Sequence, residues 1–235
     1  MPAMRHPTPD PPQETGTRDG LAYALFAPPG APRGGVVVLH GAGSRKENHF
    51  GFARAARAVG LAAVVFDQRG HGASEGALDR RIADDVATVA GVLPAGVPRA
   101  LRGSSMGGYV ALVAAERVGA SAVVAICPAG AGHLLRGLRE ERFEFRADRP
   151  SLEGFLREHG LDTVVGGLQA ELLLLHAEGD ERIDPAHSRA LLQAARAPRK
   201  KLIVAPGGHH RSVQHDDELQ GESLRFVLRA LRRRR

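Results

Sequence analysis

The sequence predicts an α/β protein built around a mostly parallel sheet. Three observations lead there. Apolar runs of strand length alternate along the chain with amphipathic segments of helix length, the pattern of repeated strand-helix units. The apolar runs end in polar or glycine-rich loops. With 235 residues, 43% of them hydrophobic, the chain is large enough to bury a core and small enough to be one domain.

Residues 1–20 are rich in proline and polar side chains and are expected to form a flexible N-terminal arm, leaving residues 21–235 as the folded domain. The expected strands are LAYALFAP from Leu21, GGVVVLH from Gly34, LAAVVFD from Leu61, RALRG from Arg99, SAVVAIC from Ser121, ELLLLHA from Glu171 and KKLIVAP from Lys200. Between them, segments beginning at Glu47, Asp79, Met106, Asp184 and Asp216 place apolar residues at helical spacing. Asp184 stands before Pro185, where aspartate caps free N–H groups and proline suits the first helical position. No internal repeat is visible.

In a sheet of this kind, functional groups gather on the loops leaving the carboxyl ends of the strands. The most specific loop is LRGSSMGGYVAL, from Leu101 to Leu112. G-x-S-x-G fits it only with Ser105 at the centre, because centring on Ser104 puts Arg102 where the first glycine belongs. A strand turning directly into a helix strains its corner residue and brings the positions two before and two after against neighbouring chain, which Gly103 and Gly107 relieve. The following helix then aims free N–H groups and its positive end at charge forming near the serine, with the Met106 N–H as a candidate oxyanion donor.

With this elbow on a strand-helix turn, the chain resembles the α/β-hydrolase superfamily from about Leu21 onward. VVVLHGAGSRKENH resembles the strand and H-G-x-G loop of these enzymes, and VVFDQRGHGASEG resembles their D-x-R-G-x-G-x-S loop. The resemblance implies the α/β-hydrolase fold, a parallel sheet flanked by helices with a short cap insertion at about 129–169, and a serine hydrolase of the monoglyceride-lipase-like or serine-aminopeptidase-like kind. It implies the Ala42 N–H as second oxyanion donor, and leaves His40, Asp67, Arg69 and His71 as residues that hold loops around the site.

A serine hydroxyl needs a base to take its proton and an acid to orient that base, and in this fold they follow in the order serine, acid, histidine. ELLLLHAEGDERIDP offers Glu178, Asp180, Glu181 and Asp184; the family's H-G-x-x-D-like turn falls on Asp180, with Ala177 in place of its glycine, and Asp184 is the reserve. IVAPGGHHRSVQHDD offers His209, His210 and His215, and the family-like G-x-x-H spacing from Gly207 selects His210 over the reserve His209. The expected set is therefore Ser105, Asp180 and His210, with oxyanion donors at Met106 and Ala42. The resulting chemistry is hydrolysis of an acyl ester or thioester of a small to medium substrate through an acyl-enzyme. Amide hydrolysis and a non-enzymatic ligand-binding role on the same scaffold are the alternatives.

No metal is expected, because adjacent histidines rarely converge on one ion and no H-x-x-x-H or C-x-x-C spacing is present; no cofactor is expected either. Cys127, the single cysteine, cannot form an intrachain disulfide and reads as a buried strand-end residue. The net charge of +6 is mostly arginine, lysine appearing only at positions 46, 200 and 201. The clearest basic run, LRRRR from Leu231, has no interleaved aromatic platform, so a solvated tail is expected and nucleic acid is not. No apolar run is long enough for a membrane span, and a cytoplasmic location is expected. In the cap, Phe143, Phe145, Phe155 and the leucines are expected mainly to pack the insertion onto the body rather than to line an acyl pocket.

Overall fold

A computed structural model describes residues 10–233 of the chain. Its strands are β1 (Glu14–Arg18), β2 (Leu21–Phe26), β3 (Gly35–Leu39), β4 (Ala62–Phe66), β5 (Arg99–Ser104), β6 (Ala120–Ile126), β7 (Glu171–Ala177) and β8 (Lys200–Ala205). They form one eight-stranded sheet in the order β1-β2-β4-β3-β5-β6-β7-β8. β1 and β2 run antiparallel, and every pairing from β4 to β8 is parallel. This is the α/β-hydrolase fold.

The helices are α1 (Phe50–Ala58), α2 (Ile82–Ala90), α3 (Met106–Val118), α4 (Ala131–Arg139), α5 (Arg149–Glu158), α6 (Leu161–Gly166), α7 (Pro185–Ala194) and α8 (Asp217–Arg232). Alternating side chains along the buried strands feed two separate cores. Val37, Leu39, Val64, Leu101 and Val123 pack with residues of α2 and α3 on one face. Val36, Val38, Val65, Val124 and Leu173 pack with residues of α1 and α8 on the other. Each fully buried valine or leucine contributes roughly 1.5–3 kcal/mol, so a sheet covered on both faces is a rigid platform for its loops.

β1 lies inside the segment expected as an arm. Asp19 and Gly20, at φ 50° and 73°, join it to β2. A two-residue turn of that kind needs positive φ at both central residues, and Asp-Gly supplies it. Every β1 residue is exposed or half-buried, so the strand has no apolar pattern from which it can be recognised. The remainder of that arm, residues 1–9, and the last two arginines of the basic tail lie outside the described residues.

α4, α5 and α6 occupy the insertion between β6 and β7. Leu134, Leu138, Leu152, Phe155 and Leu161 are buried in the same core as α3, which seats the insertion on the body. The chain after α4 crosses the loop after β4 so closely that a Cβ on Gly70, at φ 78°, would overlap the Arg146 carbonyl oxygen. Among the described residues, no helix is long and apolar enough to cross a membrane.

Candidate active site

Ser105 sits where β5 turns into α3, at φ 53° and ψ −117°. A non-glycine residue held in that region stores strain of about 1–3 kcal/mol, which the surrounding backbone must hold in place. It does so through hydrogen bonds. The Ser105 N–H donates to the Ile126 carbonyl at 2.8 Å, and the Ser105 carbonyl accepts from Gly108, Tyr109 and Ala129. A Cβ on Gly103 would overlap the Gly107 carbonyl, and one on Gly107 would overlap the Leu39 carbonyl and stand 2.5 Å from that of His40. Both serines border an open cleft of about 850 Å³, but Ser104 is buried at the end of its strand and Ser105 is half-buried at the turn.

The second loop arrives beside the same hydroxyl. A Cβ on Gly41 would lie 3.3 Å from the Ser105 Cβ, so the His40–Ala42 turn touches the elbow. Ala42 lines the cleft with Ser105. Among the described residues neither the Ala42 nor the Met106 N–H donates to a backbone acceptor, leaving two free donors flanking one serine. His40 holds this turn to the next loop: its Nε2 accepts from the Gln68 N–H at 3.0 Å, and the Gln68 amide donates to the His40 carbonyl at 2.6 Å. Burial, reinforced by His71, depresses the His40 imidazole to about 4, so it stays neutral. Asp67 accepts from Lys46 through both its N–H and its ammonium and from the Ala73 N–H, and Arg69 pairs with Asp85 at 3.0 Å.

On the opposite side, the loops after β7 and β8 meet backbone to backbone. The Gly179 N–H donates to the Gly207 carbonyl at 3.0 Å, and a Cβ on Gly179 would stand 2.5 Å from the Gly208 oxygen. This contact places His210 Nδ1 2.8 Å from Asp180 Oδ2. The other carboxylate oxygen of Asp180 accepts from the Arg182 and Ile183 N–H groups, each at 2.9 Å. Burial alone would raise the Asp180 carboxyl. Hydrogen bonds from His176, His210 and the two amides outweigh it and hold the group well below the usual carboxylate range. An ionised carboxylate only accepts, so His210 Nδ1 is the donor and Nε2 keeps its lone pair.

The reserve residues are placed elsewhere. His209 is exposed, and its Nδ1 accepts from the Arg211 N–H at 3.3 Å. Asp184 caps α7 by accepting from the Ala186 N–H at 2.8 Å. His215 lines the cleft with His210, and Glu181 accepts from the His210 N–H at 2.9 Å. Phe155 is buried and Phe145 stacks on His71 at 4.4 Å, while Phe143 also borders the cleft.

Two residues stand beside Asp180: His176, to which the sequence reading gave no role, and Cys127, which is buried at the end of its strand as expected. His176 is fully buried with Nε2 3.2 Å from Asp180 Oδ2; its place at the head of the H-x-x-x-D turn was the available signal. Cys127, at φ 42°, brings its thiol to the same carboxylate. Cys127, Asp180 and His210 offer ligand atoms within 4.8 Å of one another. Burial pushes the Cys127 thiol well above its ordinary range, and both Asp180 oxygens are already engaged by His210, His176 and two amides.

The family described as serine aminopeptidase, S33, matches residues 30–142, a span that includes the Ser105 elbow and stops before Asp180 and His210. A monoacylglycerol lipase of Mycolicibacterium smegmatis is 25% identical over 250 residues, covering 84% of this chain and 88% of that protein. Among solved structures, a soluble variant of monoglyceride lipase from Saccharomyces cerevisiae superposes with a TM-score of 0.73 at 17% identity, covering 97% of each chain. The monoacylglycerol lipase of Paleococcus ferrophilus gives a TM-score of 0.69 at 20% identity, covering 90% of this chain and 98% of that one.

Proposed function

This chain has the fold of the α/β-hydrolases, and from that premise we propose that it is a serine hydrolase of acyl esters, with Ser105 as nucleophile, His210 as base and Asp180 as orienting acid. The observation that carries the reading is the 2.8 Å bond from His210 Nδ1 to Asp180, with the ring lining the same cleft as the strained Ser105.

The substrate carbonyl carbon enters the cleft beside Ser105, and its oxygen points to the Met106 and Ala42 N–H groups. His210 Nε2 takes the Ser105 proton as Oγ attacks, and Asp180 stabilises the imidazolium that forms. The oxyanion is held by two amides that reorganise little, because backbone and helix fix them. Collapse of the tetrahedral intermediate expels the alcohol, which takes the His210 proton. Water, activated by the same nitrogen, then releases the acid from Ser105.

A fluorophosphonate probe tests the assignment. Native protein is expected to label and to hydrolyse short p-nitrophenyl esters, and Ser105→Ala to do neither. Labelling that persists in Ser105→Ala, or absence of both signals in native protein, overturns the reading; the second outcome favours a ligand-binding role on this scaffold. Because the matched family is described as an aminopeptidase, amide cleavage is the second reading. Aminoacyl p-nitroanilides turned over faster than esters of similar size would favour it.

A further inference from the structure

The cleft walls carry more basic than acidic residues. Arginines from separate segments line it: Arg136 in α4, Arg142 after α4, Arg182 after β7, and Arg211 directly following His210. The acidic residues among its walls are Glu144 and Glu181. Arg142 is paired with Glu140 at 2.6 Å and Arg182 with Glu181 at 3.6 Å. Among the described residues, no carboxylate lies within ion-pair distance of Arg136 or Arg211, and both side chains are exposed. Two arginines without an ion-pair partner thus border the cleft that Ser105 lines.

The apolar side of the site is small. Beneath Met106, Leu138, Leu156 and Phe145 surround a hollow of about 10 Å³. A single water needs roughly 10–15 Å³ by the same measure, so this hollow takes no part of a substrate, which only the larger cleft admits.

Resting on the hydrolase reading above, we propose that the cleft selects esters carrying an anionic oxygen group, a carboxylate or a phosphate, which Arg136 and Arg211 receive. The planar guanidinium fork matches both anions, and a cleft lined by one sign of charge raises the local concentration of the opposite one. The anion sits on the acyl side or on the alcohol side of the scissile bond, and the substrates below separate the two.

The test compares matched pairs by chromatography of the released acid. Ethyl butyrate against monoethyl succinate places the charge on the acyl part. 1-Acetylglycerol against 1-acetylglycerol 3-phosphate places it on the leaving alcohol. In at least one pair the charged ester is expected to have kcat/KM about tenfold or more above its neutral twin. That ratio is expected to shrink several-fold at about 0.5 M salt, where screening is nearly complete, and to approach one in the Arg136→Gln, Arg211→Gln double variant. Neutral twins equal to or better than both charged esters overturn the inference, as does a ratio indifferent to salt and to the double variant. Calorimetry on Ser105→Ala, with succinate against butyrate and glycerol 3-phosphate against glycerol, reads the same preference without turnover. Salt-sensitive anion binding with no ester hydrolysis by native protein would support the anion cleft and overturn only the hydrolase reading; neither anion preferred overturns the inference itself.

Discussion

Asp180 Oδ2 lies between two imidazoles, 2.8 Å from His210 Nδ1 and 3.2 Å from His176 Nε2. His176 is itself fixed, with Nδ1 2.7 Å from the Ser188 hydroxyl and Nε2 2.9 Å from the Ile183 carbonyl. The acid is therefore oriented from behind by a residue that lies away from the cleft. Asp180→Asn is expected to lower kcat by about three to four orders of magnitude, because a neutral amide neither selects the tautomer nor stabilises the imidazolium. His176→Phe keeps most of the volume but removes one donor to Asp180, and it is expected to lower kcat by one to two orders of magnitude while KM changes little. Steady-state kinetics check both, and an unchanged kcat in His176→Phe would limit that residue to a packing role.

Gly107 has no room for a side chain, since what a Cβ meets is the backbone of β3 rather than a flexible group. Gly107→Ala is expected to cost about 3 kcal/mol or more, or to prevent folding, a size typical of forced overpacking. Gly43→Ala is the control of opposite kind: nothing lies within 4 Å of its Cβ position, although its φ of 67° still carries strain. Urea unfolding of both variants measures the difference, and equal losses would contradict the close approach at the elbow.

Arg102 is fully buried, three residues before Ser105, with its guanidinium 3.9 Å over the Phe52 ring and donating to the Gln214 carbonyl at 3.0 Å. Burial lowers it to about 9, so it is still charged at neutral pH. Gln214 belongs to the loop that carries His210, so this bond ties the loop of the proposed base to the strand leading to the proposed nucleophile, Ser105. Arg102→Met removes the tie together with the cost of burying a charge, and these oppose each other. Stability is expected to stay within about 1 kcal/mol while kcat falls about tenfold. A large loss of stability at unchanged kcat would assign Arg102 to the core alone.

His40 supplies a pH dependence with a definite sign. Its pKa is about 4 in the folded chain and about 6.5 when exposed, so between these values the unfolded state binds more protons. Its contribution is complete above about pH 6.5 and is lost as pH falls toward 4. From pH 7.5 to pH 5 it accounts for about 2 kcal/mol of lost stability. His49, also depressed by burial and then by Arg102, acts in the same direction. Denaturant unfolding at the two pH values checks this, and equal stabilities would contradict a neutral buried His40.

Much of the architecture was legible because the central strands are covered on both faces and their apolar runs are unbroken. LAYALF, GVVVL and ELLLLHA each match a strand, and Asp184-Pro185 marks the start of α7. β1 was not legible, because an edge strand with no buried residue carries no periodicity and its Asp19-Gly20 turn follows proline-rich chain. Ser105 could be centred from spacing, since the glycines that relieve its corner are its sequence neighbours.

By itself, the sequence determined the strand-helix rhythm and the position of the elbow, and its motif spacings singled out Asp180 and His210, because these depend on local periodicity and on residues a few positions apart. Tertiary structure alone decided that the Asp180 carboxylate and the His210 ring come within 2.8 Å of each other, that His176 and Cys127 stand beside that carboxylate, and that Arg136 and Arg211 border one cleft without counter-charges. Those relationships join residues 30 or more positions apart, or depend on which side of a loop faces inward. They follow from the packing of β7 beside β8 and of the insertion above α3, which no local pattern encodes.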